Sequence, residues 1–149
     1  MENTLFLGKH FCKVDRKFSW KVPSVFKRNM KGNLYLIQGF ERNLLCLTED
    51  AFHEIFEKIS SNNIADPLAR LLLRLFLGSA HIVRVTKDGY IQIPEPLYQF
   101  LGSKENVCII GQGDYFEIWA PDVWKLQEDR LFDFEQNATR FSSLDISLR

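Results

Sequence analysis

Neither sign of charge dominates this 149-residue chain, in which 19 Lys and Arg offset 19 Asp and Glu. No overall field therefore draws it to nucleic acid or to anionic lipid, and any electrostatic preference is local. Cysteine is scarce: Cys12, Cys46 and Cys108 are odd in number and more than thirty residues apart. That excludes a disulfide framework and a paired zinc knuckle and fits a reducing, cytoplasmic compartment. Long apolar runs are missing too. The greasiest stretch, Leu68 to Leu77, is ten residues with Arg70 and Arg74 inside it, half of what a bilayer requires. The N-terminus shows no charged segment followed by an apolar one, so neither a leader nor a membrane association is expected.

Catalytic patterns are absent as well. The sequence holds no G-x-S-x-G elbow, no G-x-x-x-x-G-K-S/T loop and no H-E-x-x-H. His53 and Glu57 stand at i, i+4, but a zinc site needs three or four converging ligands, and His10 and His81 have no such neighbour. The cysteines lie in apolar alternating segments, where a thiol acts as a small hydrophobe. No metal, cofactor, small-molecule substrate or enzymatic activity is expected.

What the chain does contain is ordinary globular composition, 46% hydrophobic and 13% aromatic, with an uneven spread of charge. Residues 9–31 carry Lys9, Lys13, Arg16, Lys17, Lys21, Lys27, Arg28 and Lys31 against Asp15 alone, while Asp114 to Arg149 hold eight acids against four bases. The basic segment can meet phosphates, and the two ends can also attract one another between copies.

An internal repeat organises the chain. At an offset of 71, Phe11 to Asp15 falls on Ile82 to Thr86 and Val22-Pro23 on Ile93-Pro94; at 72, Leu44 to Leu47 falls on Phe116 to Trp119. Each copy reads as strand, strand, short helix, strand, hairpin, strand, helix, from period-2 apolar segments separated by turn residues. Gly111 to Asp114 reads as a hairpin loop. Thr48 before Glu49-Asp50 predicts a helix with Phe52, Ile55, Phe56 and Ile59 on one face, and Pro121 opens its counterpart. Between the copies Asp66-Pro67 starts and Gly78 stops a leucine-rich helix. Its leucines imply burial against both repeats or against another subunit, with Arg70 and Arg74 pairing across an interface or snorkelling at its rim. Phe11, Phe18, Trp20, Phe26 and Tyr35 fall within strands and helices and read as core. The divisions expected are a first repeat at 5–53, connecting helices at 54–77, a second repeat at 78–124 and an acidic C-terminal helix and tail at 125–149.

Several of these segments carry a family resemblance. Phe6-Leu-Gly8, Asp15-Arg-Lys17 leading to Val22-Pro23, Asp66 to Arg70, Arg74 to Ala80, Gly89 leading to Ile93-Pro94, and Gly111-Gln with Phe116 to Trp119 together resemble the MraZ family of bacterial transcriptional regulators. The likeness spans roughly residues 5–131. It implies a mainly β fold with helices (α+β), two swapped-hairpin AbrB-like β-barrel units in tandem, and assembly into a ring-shaped homo-oligomer. It also implies a nucleoid-associated repressor that binds repeated operator boxes of double-stranded DNA upstream of the division and cell-wall gene cluster, its own operon included.

In that family each unit carries D-x-K-G-R or a close variant, and the arginine enters the DNA groove. Here both copies depart: Phe18 and Ser19 stand at the Gly and Arg positions of the first, Thr86 and Tyr90 at the acid and Arg positions of the second. A bidentate arginine–guanine contact contributes about 1–3 kcal/mol of discrimination, which serine cannot replace. Phosphate attraction survives in Lys13, Arg16, Lys17 and Lys21, with Lys87 and Arg84 near the second turn. Alternation sends Lys13, Asp15 and Lys17 to one face and Arg16 to the other. The alternative is a divergent member that has lost operator recognition and acts as an oligomeric scaffold.

Overall fold

Proline fixes φ and removes a backbone donor, so a strand that reaches it stops and a helix can begin one residue later. Both halves of the chain use this device. Pro23 (φ −54°, ψ 137°) and Pro94 (φ −54°, ψ 139°) are the N-caps of two short helices, α1 (Ser24–Lys27) and α4 (Glu95–Leu101). A computed structural model describes residues 5–61 and 64–144. The first half runs β1 (Lys9–Lys13), β2 (Ser19–Lys21), α1, β3 (Leu34–Gln38), β4 (Leu44–Thr48) and α2 (Glu49–Ser60). After α3 (Pro67–Gly78), the second runs β5 (His81–Val83), β6 (Tyr90–Gln92), α4, β7 (Asn106–Gly111), β8 (Tyr115–Trp119) and α5 (Pro121–Leu131), with α6 (Phe134–Ser142) behind it. Residues 145–149 of the expected acidic tail lie outside the described residues.

The helix starts follow local chemistry. Thr48 Oγ1 accepts from the Ala51 N–H at 3.3 Å and Asp66 Oδ1 from the Leu68 N–H at 2.9 Å, each satisfying one of the orphan donors of a first turn. At the far end of α3, the Ser79 hydroxyl donates to the Leu75 carbonyl at 2.6 Å and accepts from the Gln38 N–H at 3.0 Å. This pair of hydrogen bonds ties the helix end to β3.

The order of strands in the sheet is β1-β7-β8-β4-β3-β5, all pairs antiparallel, with a separate two-stranded ribbon β2-β6. The class is α+β, a β core with helices around it, as expected. The hairpins are swapped: β1 of the first half pairs with β7 of the second, and β5 of the second with β3 of the first. Two barrels side by side do not result. Among the described residues the halves share one open sheet, because a unit of about 50 residues buries too little surface to stand alone and gains a core by exchanging strands.

The exchange is symmetric about an approximate twofold axis. Trp20 pairs with Ile91, the residue 71 positions later, and Leu45 pairs with Glu117, 72 positions later. Residues at the repeat offset therefore face each other where the axis passes.

Alternation divides the sheet into two faces. Leu34, Leu36, Leu44, Cys46, Val107, Ile109, Phe116 and Ile118 point to one core, closed by Trp20 and Ile91 of the ribbon and by α1 and α4. Phe6, Phe26 and Phe116 meet there with ring centroids 5.0–5.2 Å apart, and Trp20 lies edge-on to Phe116 at 5.9 Å. On the opposite face, Ile37 and Leu47 pack under α2 and α3, and Cys108, Ile110 and Trp119 under α5. Phe11, expected in the core, is 65% exposed. It lies on the outer face of edge strand β1, which α5 reaches through the Lys9–Glu128 ion pair at 2.9 Å without covering the ring, and Lys9 Nζ stands 5.7 Å from the ring centroid. Among the described residues no helix is long and apolar enough to cross a membrane.

Trp20 is fully buried at the axis, and its indole N–H has no hydrogen-bond partner among the described residues. Trp20→Ala is expected to cost about 3–5 kcal/mol of stability through the cavity it leaves. Trp20→Phe should cost clearly less, since it removes the orphan donor and keeps most of the ring volume. Urea unfolding of the two variants checks this; equal losses would mean that the N–H has a role the packing does not show.

Candidate nucleic-acid interface

The link between β1 and β2 is a tight turn built by Asp15. Its carboxylate accepts from the backbone N–H of Lys17 at 2.8 Å and of Ser19 at 2.9 Å, while its carbonyl accepts from Phe18 at 3.1 Å. The carboxylate is thus engaged by its own turn, and Asp15, Arg16 and Lys17 are all exposed. The link between β5 and β6 repeats the design. Thr86 Oγ1 accepts from the Tyr90 N–H at 3.1 Å, and its carbonyl from Gly89 at 2.9 Å. A hydroxyl in place of the acid therefore keeps one of the two side-chain bonds.

Each turn requires a positive φ at the same position, Gly89 at 85° and Phe18 at 64°. For an L-residue this costs about 1–2 kcal/mol. At Phe18 the cost is offset by tertiary packing, since its ring stacks on Tyr98 at 4.6 Å and 20°. The aromatic replacement thus leaves the turn where glycine would have put it.

The turns lie at opposite ends of the β2-β6 ribbon. The Phe18 carbonyl accepts from Ile93 and the Gly89 carbonyl from Val22, both at 2.9 Å, and these bonds are related by the twofold axis. Arg16 and Lys87, 71 positions apart, are the exposed tips. Two open grooves flank the ribbon, each made by one half's hairpin and helix together with the other half's turn. Lys13, Asp15, Lys21, Pro23 and Lys27 line the first with Tyr90. Lys17 crosses to the second, beside Arg84, Thr86 and Glu95.

The structure therefore brings Lys13 and Lys21 together, sends Lys17 to the other groove and leaves Arg16 and Lys87 at the tips. Lys27 joins Lys13 and Lys21 although no turn motif contains it. Local sequence marks it only as part of a basic run, because its place depends on how the halves interleave. Ser19 and Tyr90 occupy equivalent ribbon positions. Tyr90 is exposed in the first groove.

Arg70 and Arg74 lie on α3, on the far side of the sheet. Arg70 donates to the carbonyls of Ile64 and Ala65 at 3.0 and 2.9 Å, bracing the loop before its own helix. Arg74 is exposed among leucines. Leu68 is 70% and Leu71 60% exposed, and with Leu75 and Phe40, itself 74% exposed, they line an apolar groove. Only Phe76 of this helix is buried. Burial raises the thiols of Cys46 and Cys108, the latter to about 12, which keeps both protonated at neutral pH. Among the described residues no group of three His, Cys, Asp or Glu side chains could hold a metal ion.

Comparison with known proteins gives a consistent picture. Residues 76–144 match the family model described as "MraZ protein, putative antitoxin-like". The chain is 31% identical over 127 residues to the transcriptional regulator MraZ of Thermomicrobium roseum, covering 85% of this chain and 89% of that protein. It is 34% identical over 121 residues to that of Dictyoglomus turgidum, 81% of this chain and 83% of the relative. With that of Clostridium tetani it shares 26% identity over 142 residues, 95% of this chain and the whole of the relative.

Proposed function

The chain belongs to the MraZ family, and from that membership we propose that it is a DNA-binding transcriptional regulator that grips double-stranded DNA with the two turns at the ends of the β2-β6 ribbon. The observation that carries this reading is a set of exposed bases on two turns, the first of them built by an Asp15 carboxylate that is engaged by its own backbone N–H groups. Lys13, Arg16, Lys17 and Lys21 of the first half and Lys87 of the second project from a rigid scaffold whose Asp15 is bonded to its own backbone. Such a surface neutralises phosphates, and turns held by fixed hydrogen bonds lose little entropy on doing so. The units taken as 5–53 and 78–124 each give one turn.

The finer reading is repression of its own operon, within the division and cell-wall gene cluster, by a nucleoid-associated, cytoplasmic ring of copies on repeated operator boxes. The exposed leucines of α3 support assembly, because an apolar face of this kind on a soluble domain marks an interaction surface. Arg74 lies among those leucines, and Arg70 at the same helix braces the neighbouring loop. Several weakly binding copies on one array of boxes gain by multivalency, which offsets the arginines missing at positions 19 and 90. That absence also favours the second reading, an oligomeric scaffold without operator recognition.

Fluorescence anisotropy with the duplex upstream of its own gene, against a shuffled duplex at several salt concentrations, separates the two. Preference for the native duplex, lost in an Arg16→Ala, Lys17→Ala variant, is the expected outcome, with affinity falling steeply as salt rises. Equal or absent binding to both duplexes would support the scaffold. Light scattering checks the assembly: Leu71→Glu should shift the wild-type oligomer to smaller species, and an unchanged mass would place the subunit contact elsewhere.

A further inference from the structure

The positions that close the two turns have opposite contents, and so do the positions packed against them. Phe18 and Gly89 are equivalent at the offset of 71, as are Lys27 and Tyr98. In one turn the ring of Phe18 stacks on Tyr98. In the other, Gly89 has no side chain, and Lys27 of α1 fills the space: its Nζ lies 2.6 Å and its Cε 2.7 Å from where a Cβ on residue 89 would stand. An aromatic pair locks the first turn, whereas the second accommodates a lysine from the opposite half of the chain.

We propose that Lys27 is a phosphate-contacting residue of the DNA interface, delivered to the second turn by the absence of a side chain at Gly89. This rests on the reading of the protein as a DNA binder. The second turn carries Lys87 beside Asp88, so its own sequence supplies no net charge. Lys27 corrects that deficit, standing in one groove with Lys13, Lys21 and Tyr90. Lys27 is an exposed residue, and its ammonium has three donors on a flexible stem, which suits a phosphate and gives no base reading. The basic excess of the first half thereby serves both turns.

The test measures binding of the full chain to duplex DNA as a function of salt for Lys27→Gln, Lys27→Arg and Lys58→Gln, with a thermal melt of each. Lys58 lies on α2, across the sheet from the ribbon, and removes the same charge. Loss of one released counterion, with a slope of about 0.9 per contact, corresponds to about a fivefold weaker affinity at 0.15 M salt for each copy engaged. Lys27→Gln should show that loss and the shallower slope at an unchanged melting temperature. Lys27→Arg and Lys58→Gln should stay near wild type. Equal losses in Lys27→Gln and Lys58→Gln, or no loss in Lys27→Gln while the wild type binds, would overturn the role of Lys27 alone. Failure of the wild type to bind any duplex would overturn the DNA-binding reading with it.

Discussion

The pairing of Trp20 with Ile91 is the contact on which the rest of the molecule depends. It brings together two short strands that neither half could stabilise by itself, since a ribbon of this length is marginal without a packed face. Burial of both side chains under Phe116 and α1 and α4 supplies that face. Once the ribbon is centred there, the twofold axis is set, and the swapped partners of β1 and β5 follow from it. So does the placement of the turns, whose carbonyls are held across the ribbon by Ile93 and Val22.

The functional consequence is a redistribution of charge. In the linear chain the bases of residues 9–31 belong to one half. In the fold, Lys17 joins Arg84 beyond one end of the ribbon, and Lys13, Lys21 and Lys27 stand beside Tyr90 at the other. A chain of zero net charge thus presents a locally basic surface on one side of the sheet, with apolar helix faces on the other. The basic side has the chemistry to meet phosphates, and the apolar side that to pack against another apolar surface.

Much of the local structure was legible in the sequence. Period-2 segments gave the strands, Thr48 and Asp66 marked helix starts through side chains that accept from the first turn, and the repeat placed Pro23 and Pro94 at equivalent positions, where each caps a short helix. The interleaving was not, because exchanged strands such as β1 with β7, whose residues Lys9 and Ile110 pair, and β3 with β5, where Leu34 pairs with Val83, lie far apart in the chain and leave no local pattern beyond the repeat itself. Alternation also tells which residues share a face but not whether that face is covered, which is why Phe11 is outside. Phe18 is the reverse case: local rules disfavour an aromatic at positive φ, and only the ring of Tyr98, brought from the other half, explains its tolerance. Lys27 belongs with these residues, its partner position being 62 residues away.

On the proposed reading, the ribbon side of the sheet, and not its helix-covered side, faces the nucleic acid. Lysine acetylation of the full chain with and without duplex DNA, read by mass spectrometry, reports on both sides at once. Lys13, Lys17, Lys21 and Lys87 should be shielded by the duplex while Lys58 of α2 and Lys125 of α5 react as before. Shielding of Lys58 and Lys125 with the turn lysines left reactive would contradict it.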